Sequence, residues 1–189
     1  MKALGLVSTA LCSISTGRVA LVGLVVFVAF GALVLPAQSA AAQEASGGAG
    51  SPDTSLFYTP DQLLGQAEAY GEAGRAAYVQ ARWTFDVIFP LVYGFFLVTS
   101  IGSCLSRAAP PDSPLRRLNL VPVAAILFDF LENTATSLVM ARFPAQMPLA
   151  AGLAPWFTLA KWIFVYAAFG ILLRALVVLL ARRLRRMPA

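Results

Sequence analysis

The sequence predicts an all-α protein, a four-helix transmembrane bundle with an extracytoplasmic amphipathic helix leading into the second span. Three observations predict it. Of 189 residues, 59% are hydrophobic and only 12% charged, the profile of a chain whose solvent is lipid. Four apolar stretches, Val19–Leu35, Thr84–Leu105, Leu118–Met140 and Trp156–Ala181, are long enough to cross a hydrocarbon core about 30 Å thick as helices. No ten-residue block alternates with period two, which argues against a membrane β-barrel.

Charge supplies the topology. Lys2, Arg18, Arg107, Arg116, Arg117, Arg174, Arg182, Arg183, Arg185 and Arg186 lie before span one, between spans two and three, or towards the end of span four. The segment between spans one and two carries Glu44, Asp53, Asp61, Glu68 and Glu72 against Arg75 and Arg82. Positive residues stay cytoplasmic, so both termini are expected inside the cell (inner) membrane and residues 37–82 outside. The net charge of +5 is therefore read as topology, and no nucleic-acid partner is expected; attraction of Arg182–Arg186 to anionic lipid is secondary.

Residues 1–36 are read as a cytoplasmic N-terminus and first helix. A cleaved signal peptide is the alternative, because Ala40, Ala41 and Ala42 offer small residues at a cleavage spacing. Against it, the apolar run is about 17 residues long, where signal peptides use 7–15. In residues 37–82, the Ala-, Gly- and Ser-rich stretch to residue 55 reads as a flexible linker. Thr59-Pro60-Asp61 then starts a helix, with Thr59 as N-cap, Pro60 in the first position and Asp61 in the first turn. Helical spacing continues to Arg82, weakened at Gly71 and Gly74; glycines three apart also allow a close backbone approach.

Residues 83–189 hold spans two to four and the basic C-terminus. If the outer helix is continuous with span two, Arg75, Tyr78, Arg82, Asp86, Phe89 and Tyr93 share one face. Pro90 cannot donate to the carbonyl of Asp86, so a kink and an open acceptor are expected there. Residues 107–117 read as a tight cytoplasmic turn and Phe143–Pro155 as a Pro-rich outer turn. Trp83, Trp156 and Trp162 fit interface anchors.

Span three carries the energetic misfit. A central Asp costs roughly 2.5–3.5 kcal/mol on translocon-type scales, and each Leu, Ile, Val or Phe returns about 0.3–0.6. Its eleven such residues about cancel Asp129, Glu132 and Asn133, so these polar groups need partners, and inside a membrane they mark a functional site by default. Their i, i+3, i+4 spacing places them on one face. Depth lets Lys161 of span four, Asp86 and Arg82 converge with Glu132. Two carboxyls one turn apart repel unless Lys161 or Arg82 neutralises one. The ligand-binding candidates are thus Asp129, Glu132, Asn133, Lys161, Asp86, Arg82, Tyr93, Arg75 and Tyr78. The competing reading makes Glu132–Lys161 and Asp86–Arg82 structural pairs, with Asn133 as polar glue.

No histidine is present, which removes histidine-ligated iron and zinc sites and serine–histidine relays. Cys12 and Cys104 lie far from the carboxyls and read as free thiols. No metal and no cofactor are expected. A Ser137–Lys161 dyad is conceivable at this depth, although nothing in the local sequence marks Ser137 as a nucleophile.

The strings Tyr58-Thr59-Pro60, Ala69-Tyr70-Gly71-Glu72-Ala73-Gly74-Arg75-Ala76-Ala77-Tyr78, Asp86 and Pro90-Leu91-Val92-Tyr93 recur in a known pattern. So do Phe128-Asp129-Phe130-Leu131-Glu132-Asn133, Phe143-Pro144 and Thr158-Leu159-Ala160-Lys161-Trp162. Together they resemble a family of bacterial four-span integral membrane proteins of unknown function, over roughly residues 53–165. The resemblance implies four helices and an outer helical segment, and carries no activity.

Three functions follow from these expectations. The first is binding or transport of a small polar or lipid-linked ligand, or of protons, with an oligomer for the transport version because four spans are few. The second is an accessory subunit of a membrane complex whose buried charges serve assembly. The third is a cofactor-free hydrolase or lipid-modifying enzyme using the carboxyls as acid and base.

Overall fold

The computed structural model describes residues 2–111 and 113–185. Among them the chain is helical, without strands: α1 (Lys2–Ile14), α2 (Gly17–Leu33), α3 (Leu35–Ala45), α4 (Pro60–Ala69), α5 (Gly71–Arg82), α6 (Phe85–Ala108), α7 (Val121–Arg142) and α8 (Pro148–Leu184), with 3-10 turns at Pro52–Thr54 and Pro114–Leu120. Three helical stretches are long and apolar enough to cross a membrane: Gly71–Ala108, Pro114–Arg142 and Pro148–Leu184. The pair Ala3–Ile14 and Gly17–Leu33, bent by 87°, makes a fourth if counted as one span.

The four expected spans are thus all helical, and three local expectations change. The start of the linker is helix α3, because five alanines follow Pro36 in its first turn, and Ala is the best helix former. Gly47, Gly48 and Gly50, all at positive φ, stop it. The turn expected at Phe143–Pro155 is shorter: α8 starts at Pro148 and runs through Pro155, which removes one amide donor without ending the helix. Likewise Pro90 lies inside α6, and the turn expected at residues 107–117 gives way to a 3-10 turn from Pro114.

The chain divides into two compact units. The first comprises Met1–Val28, Val92–Ala124 and Ile163–Ala189; the second comprises Ala29–Leu91 and Ala125–Trp162. In the first unit, Phe27 stacks on Phe96 at 5.0 Å between centroids, and Phe169 lies 6.4 Å from each. Gly23 of α2 allows this approach: a Cβ there would sit 3.1 Å from the Phe96 Cα. The buried polar residues of this unit are neutral, namely Ser8, Ser15, Thr99, Ser100, Ser103 and Asn119.

The second unit is built around Tyr58, Leu63, Ala67, Tyr70, Tyr78, Val139, Met140 and Ala154. Thr59 caps α4 as its position predicts. Its hydroxyl accepts from the Gln62 amide, and the Gln62 side chain accepts from the Thr59 amide, which completes a capping box. The long helix expected over residues 60–82 breaks at Gly71, whose φ of +63° is a conformation only glycine adopts at little cost. Gly74 is needed for space, since a Cβ there would collide with the carbonyl oxygen of Ala45 at the end of α3.

Candidate functional site

The polar residues of α7 form one buried stripe. Asp129, Glu132, Asn133, Thr136 and Ser137 recur at helical spacing, and all are buried, with Glu132 and Asn133 each 1% exposed. Leu127, Leu131 and Leu138 on the other side of the same helix are exposed. The helix therefore turns its polar side inward and its apolar side outward.

Glu132 on this stripe meets a counter-charge. Glu132 Oε2 forms an ion pair with Lys161 Nζ of α8, and both side chains are almost fully enclosed. The other carboxylate oxygen, Oε1, accepts from Thr158 Oγ1 at 2.7 Å. The hydroxyls of Thr158 and Tyr58 lie 3.2 Å apart. Thr158 stands one turn before Lys161, so one face of α8 supplies both partners of Glu132. Lys161 Nζ also lies 5.3 Å from the centre of the Trp162 ring, within cation–π range.

A second arm runs from α5 into α6. Arg82 Nη1 is 2.9 Å from Asp86 Oδ2, its guanidinium carbon lies 4.5 Å above the Tyr78 ring, and Nη2 donates to Ser51 Oγ at 3.2 Å. The break at Trp83 thus leaves Tyr78, Arg82 and Asp86 on a common face, as expected of one continuous helix. Pro90 strips the Asp86 carbonyl of its helical donor. Asn133 Nδ2 replaces it, donating to that oxygen at 3.2 Å and to Asp129 Oδ1 at 3.4 Å. The acceptor opened by one proline is closed by an asparagine on another helix.

Among the nine candidates, these contacts form two groups: Glu132 with Lys161, and Tyr78, Arg82, Asp86, Asn133 and Asp129. Arg75 is used differently. Its Nη1 donates to the Ala67 carbonyl at the end of α4, and its guanidinium lies 4.9 Å from the Phe143 ring centre. Tyr93 is buried in the first unit. Tyr58, Thr158 and Ser51 were not singled out as site residues from the sequence. Thr158 had a usable signal, an i, i+3 relation to Lys161 within an apolar span.

On the α7 stripe two oxygens have neither a hydrogen bond nor an ion pair. Asn133 Oδ1 and Ser137 Oγ are buried with no hydrogen-bond partner among the described residues, and the i, i+4 spacing puts them on the same side of α7. The two hydrogens of the Asn133 amide go to acceptors, which fixes its orientation and leaves Oδ1 facing away from them. A cleft of about 340 Å³ lies elsewhere in the unit, lined by Phe57, Tyr58, Gln62 and Gln66 among others. Tyr58 is thus both part of the cleft wall and the neighbour of Thr158. Among the described residues no group of His, Cys, Asp and Glu is arranged to hold a metal.

Fold and site together define a class: an all-α chain with three or four helices of membrane-crossing length and a buried, internally paired polar face. The chain matches no family model, no curated protein and no solved structure.

Proposed function

We propose that this chain is a multi-pass inner-membrane protein, with four spans and both termini cytoplasmic, that binds a small polar or lipid-linked ligand on the polar face of α7. The membrane reading is supported by the inversion of α7 and by α8, whose most apolar window is only 17% buried. Hydrocarbon outside and polar groups inside is the arrangement that a bilayer favours.

One observation carries the binding reading. In a stripe where Glu132 is paired with Lys161, Asn133 Oδ1 and Ser137 Oγ keep unused hydrogen-bonding capacity. A buried acceptor left unmet costs about 1–3 kcal/mol, and a hydroxyl, ammonium or water donor placed between them removes that cost. The assembly reading is favoured by a different observation, the Glu132–Lys161 pair that ties α7 to α8.

The test is native mass spectrometry of the full chain released from membranes in mild detergent, for wild type and Ser137→Ala. Binding predicts a retained small molecule whose occupancy falls about tenfold, near 1.4 kcal/mol, while the melting temperature stays put. A wild type that carries nothing, or a variant that retains the same molecule equally well, overturns binding and leaves assembly standing.

A further inference from the structure

Helix α1, like α7, buries polar groups, but neutral ones. Ser8, 3% exposed, donates to Asn119 Oδ1 at 2.9 Å, and the fully buried Asn119 donates back to the Ser8 carbonyl at 3.0 Å and to Cys12 Sγ at 3.3 Å. Ser15, two turns after Ser8, is buried too. Ser8 and Cys12 form the polar stripe of α1, sealed by Asn119 of the Pro114–Leu120 turn, while Ser15, just past the helix, faces Gly102 of α6. The opposite side presents Leu6 (73% exposed), Val7 and Ile14, with Thr9 and Ser13 among them, their hydroxyls given to carbonyls of the same helix. A surface helix in water has the reverse arrangement.

Cations flank this apolar face. A Cβ at Gly5 would lie 3.8 Å from Arg117 Nη2, and one at Gly17 would lie 2.6 Å from Arg107 Nη2. An exposed guanidinium therefore stands near each end of α1. The first unit as a whole holds ten of the chain's fourteen Lys and Arg residues and one of its nine acidic residues. The 87° bend between α1 and α2 turns α1 nearly perpendicular to α2. When α2 crosses a bilayer, α1 then lies along its surface.

We infer that α1 is a docking surface for an anionic phospholipid leaflet, with Leu6, Val7 and Ile14 in the acyl chains and Arg107 and Arg117 on lipid phosphates. This rests on the membrane reading above. Apolar exposure and flanking cations at one helix are the two components of interfacial binding, each acting through a different part of the lipid. The Ser8–Asn119 clamp sets the rotation of the helix about its axis, so that its apolar side faces the leaflet.

The experiment places a nitroxide on Leu6→Cys in a Cys12→Ser, Cys104→Ala background; the hydroxyl introduced by Cys12→Ser still accepts from Asn119. The full chain is reconstituted in vesicles of phosphatidylcholine alone or mixed with phosphatidylglycerol. Collision with oxygen, which concentrates in lipid, is compared with collision with a water-soluble nickel chelate, using a Leu173→Cys label on the exposed apolar side of α8 as reference. Docking predicts that oxygen dominates at Leu6, more strongly in the anionic vesicles, and that Arg107→Gln with Arg117→Gln removes that difference. Nickel dominating at Leu6 while oxygen dominates at Leu173 overturns the docking of α1 and spares the membrane reading. Nickel dominating at both positions overturns the two together. Equal burial in both vesicle types overturns the phosphate contacts.

Discussion

The two units handle polarity in opposite ways. The first is strongly basic, yet among its described residues the polar ones it buries are serines, a threonine and an asparagine, while Arg18, Arg107, Arg117, Arg182, Arg183 and Arg185 are exposed. The second holds eight of the nine acidic residues and buries Asp129, Glu132, Arg82 and Lys161. Neutral groups are enclosed at modest cost once each has a hydrogen bond. Buried ions need a counter-charge and further donors, and even then the pair roughly breaks even against apolar residues. The second unit therefore keeps a costly arrangement that the described residues of the first do without.

The most severe way to break this comparison is Lys161→Met, which leaves Glu132 enclosed without its counter-charge. A loss of about 3–5 kcal/mol is expected in denaturant unfolding in micelles. Adding Glu132→Gln recovers most of it if the pair serves only the packing of α7 on α8. An equal loss in the single and double variants contradicts the pairing.

Next in size is the exchange between Pro90 and Asn133. Asn133→Ala leaves the Asp86 carbonyl without its donor, at a cost of about 1–2 kcal/mol. In a Pro90→Ala background the helix supplies its own amide to that carbonyl, so the same change costs visibly less. Additive effects in this double-mutant cycle would mean that the bond contributes nothing.

In the first unit, Asn119→Ala is expected to cost about 1 kcal/mol, because neutral groups are being separated. Hydrogen exchange should rise over residues 2–14 and stay unchanged over α4 and α5. The smallest effect is Thr59→Ala, about 0.5–1 kcal/mol for the lost cap, with exchange rising in the first turn of α4. Spread of either effect into the other unit would abolish the distinction drawn between them.

How far these features were legible depends on sequence distance. Thr59, Pro60 and Asp61 announce the start of α4 because a cap acts within three residues. The shared face of Tyr78, Arg82 and Asp86 follows from helical repeat alone. Gly71 was visible as a weak point, but its role as a break and that of Gly74 as a contact with α3 needed the partner helix. Proline was over-read at Pro155, since one missing donor does not stop a helix of 37 residues. The alanine-rich stretch after Pro36 was under-read, because small residues suit both a linker and a helix.

By itself the sequence determined the helical class, the four apolar stretches, the sidedness of charge and the carboxyls that demand partners, because composition and a 3.6-residue repeat act locally. Which partners answer was decided only in three dimensions. Ser8 meets Asn119 from 111 positions away, Tyr58 meets Thr158 from 100, and the Asp86 carbonyl is satisfied by a side chain 47 residues later. Periodicity says which side of a helix is polar. Only the packing of one helix on another says what that side touches, and which acceptors, such as Asn133 Oδ1, are left open.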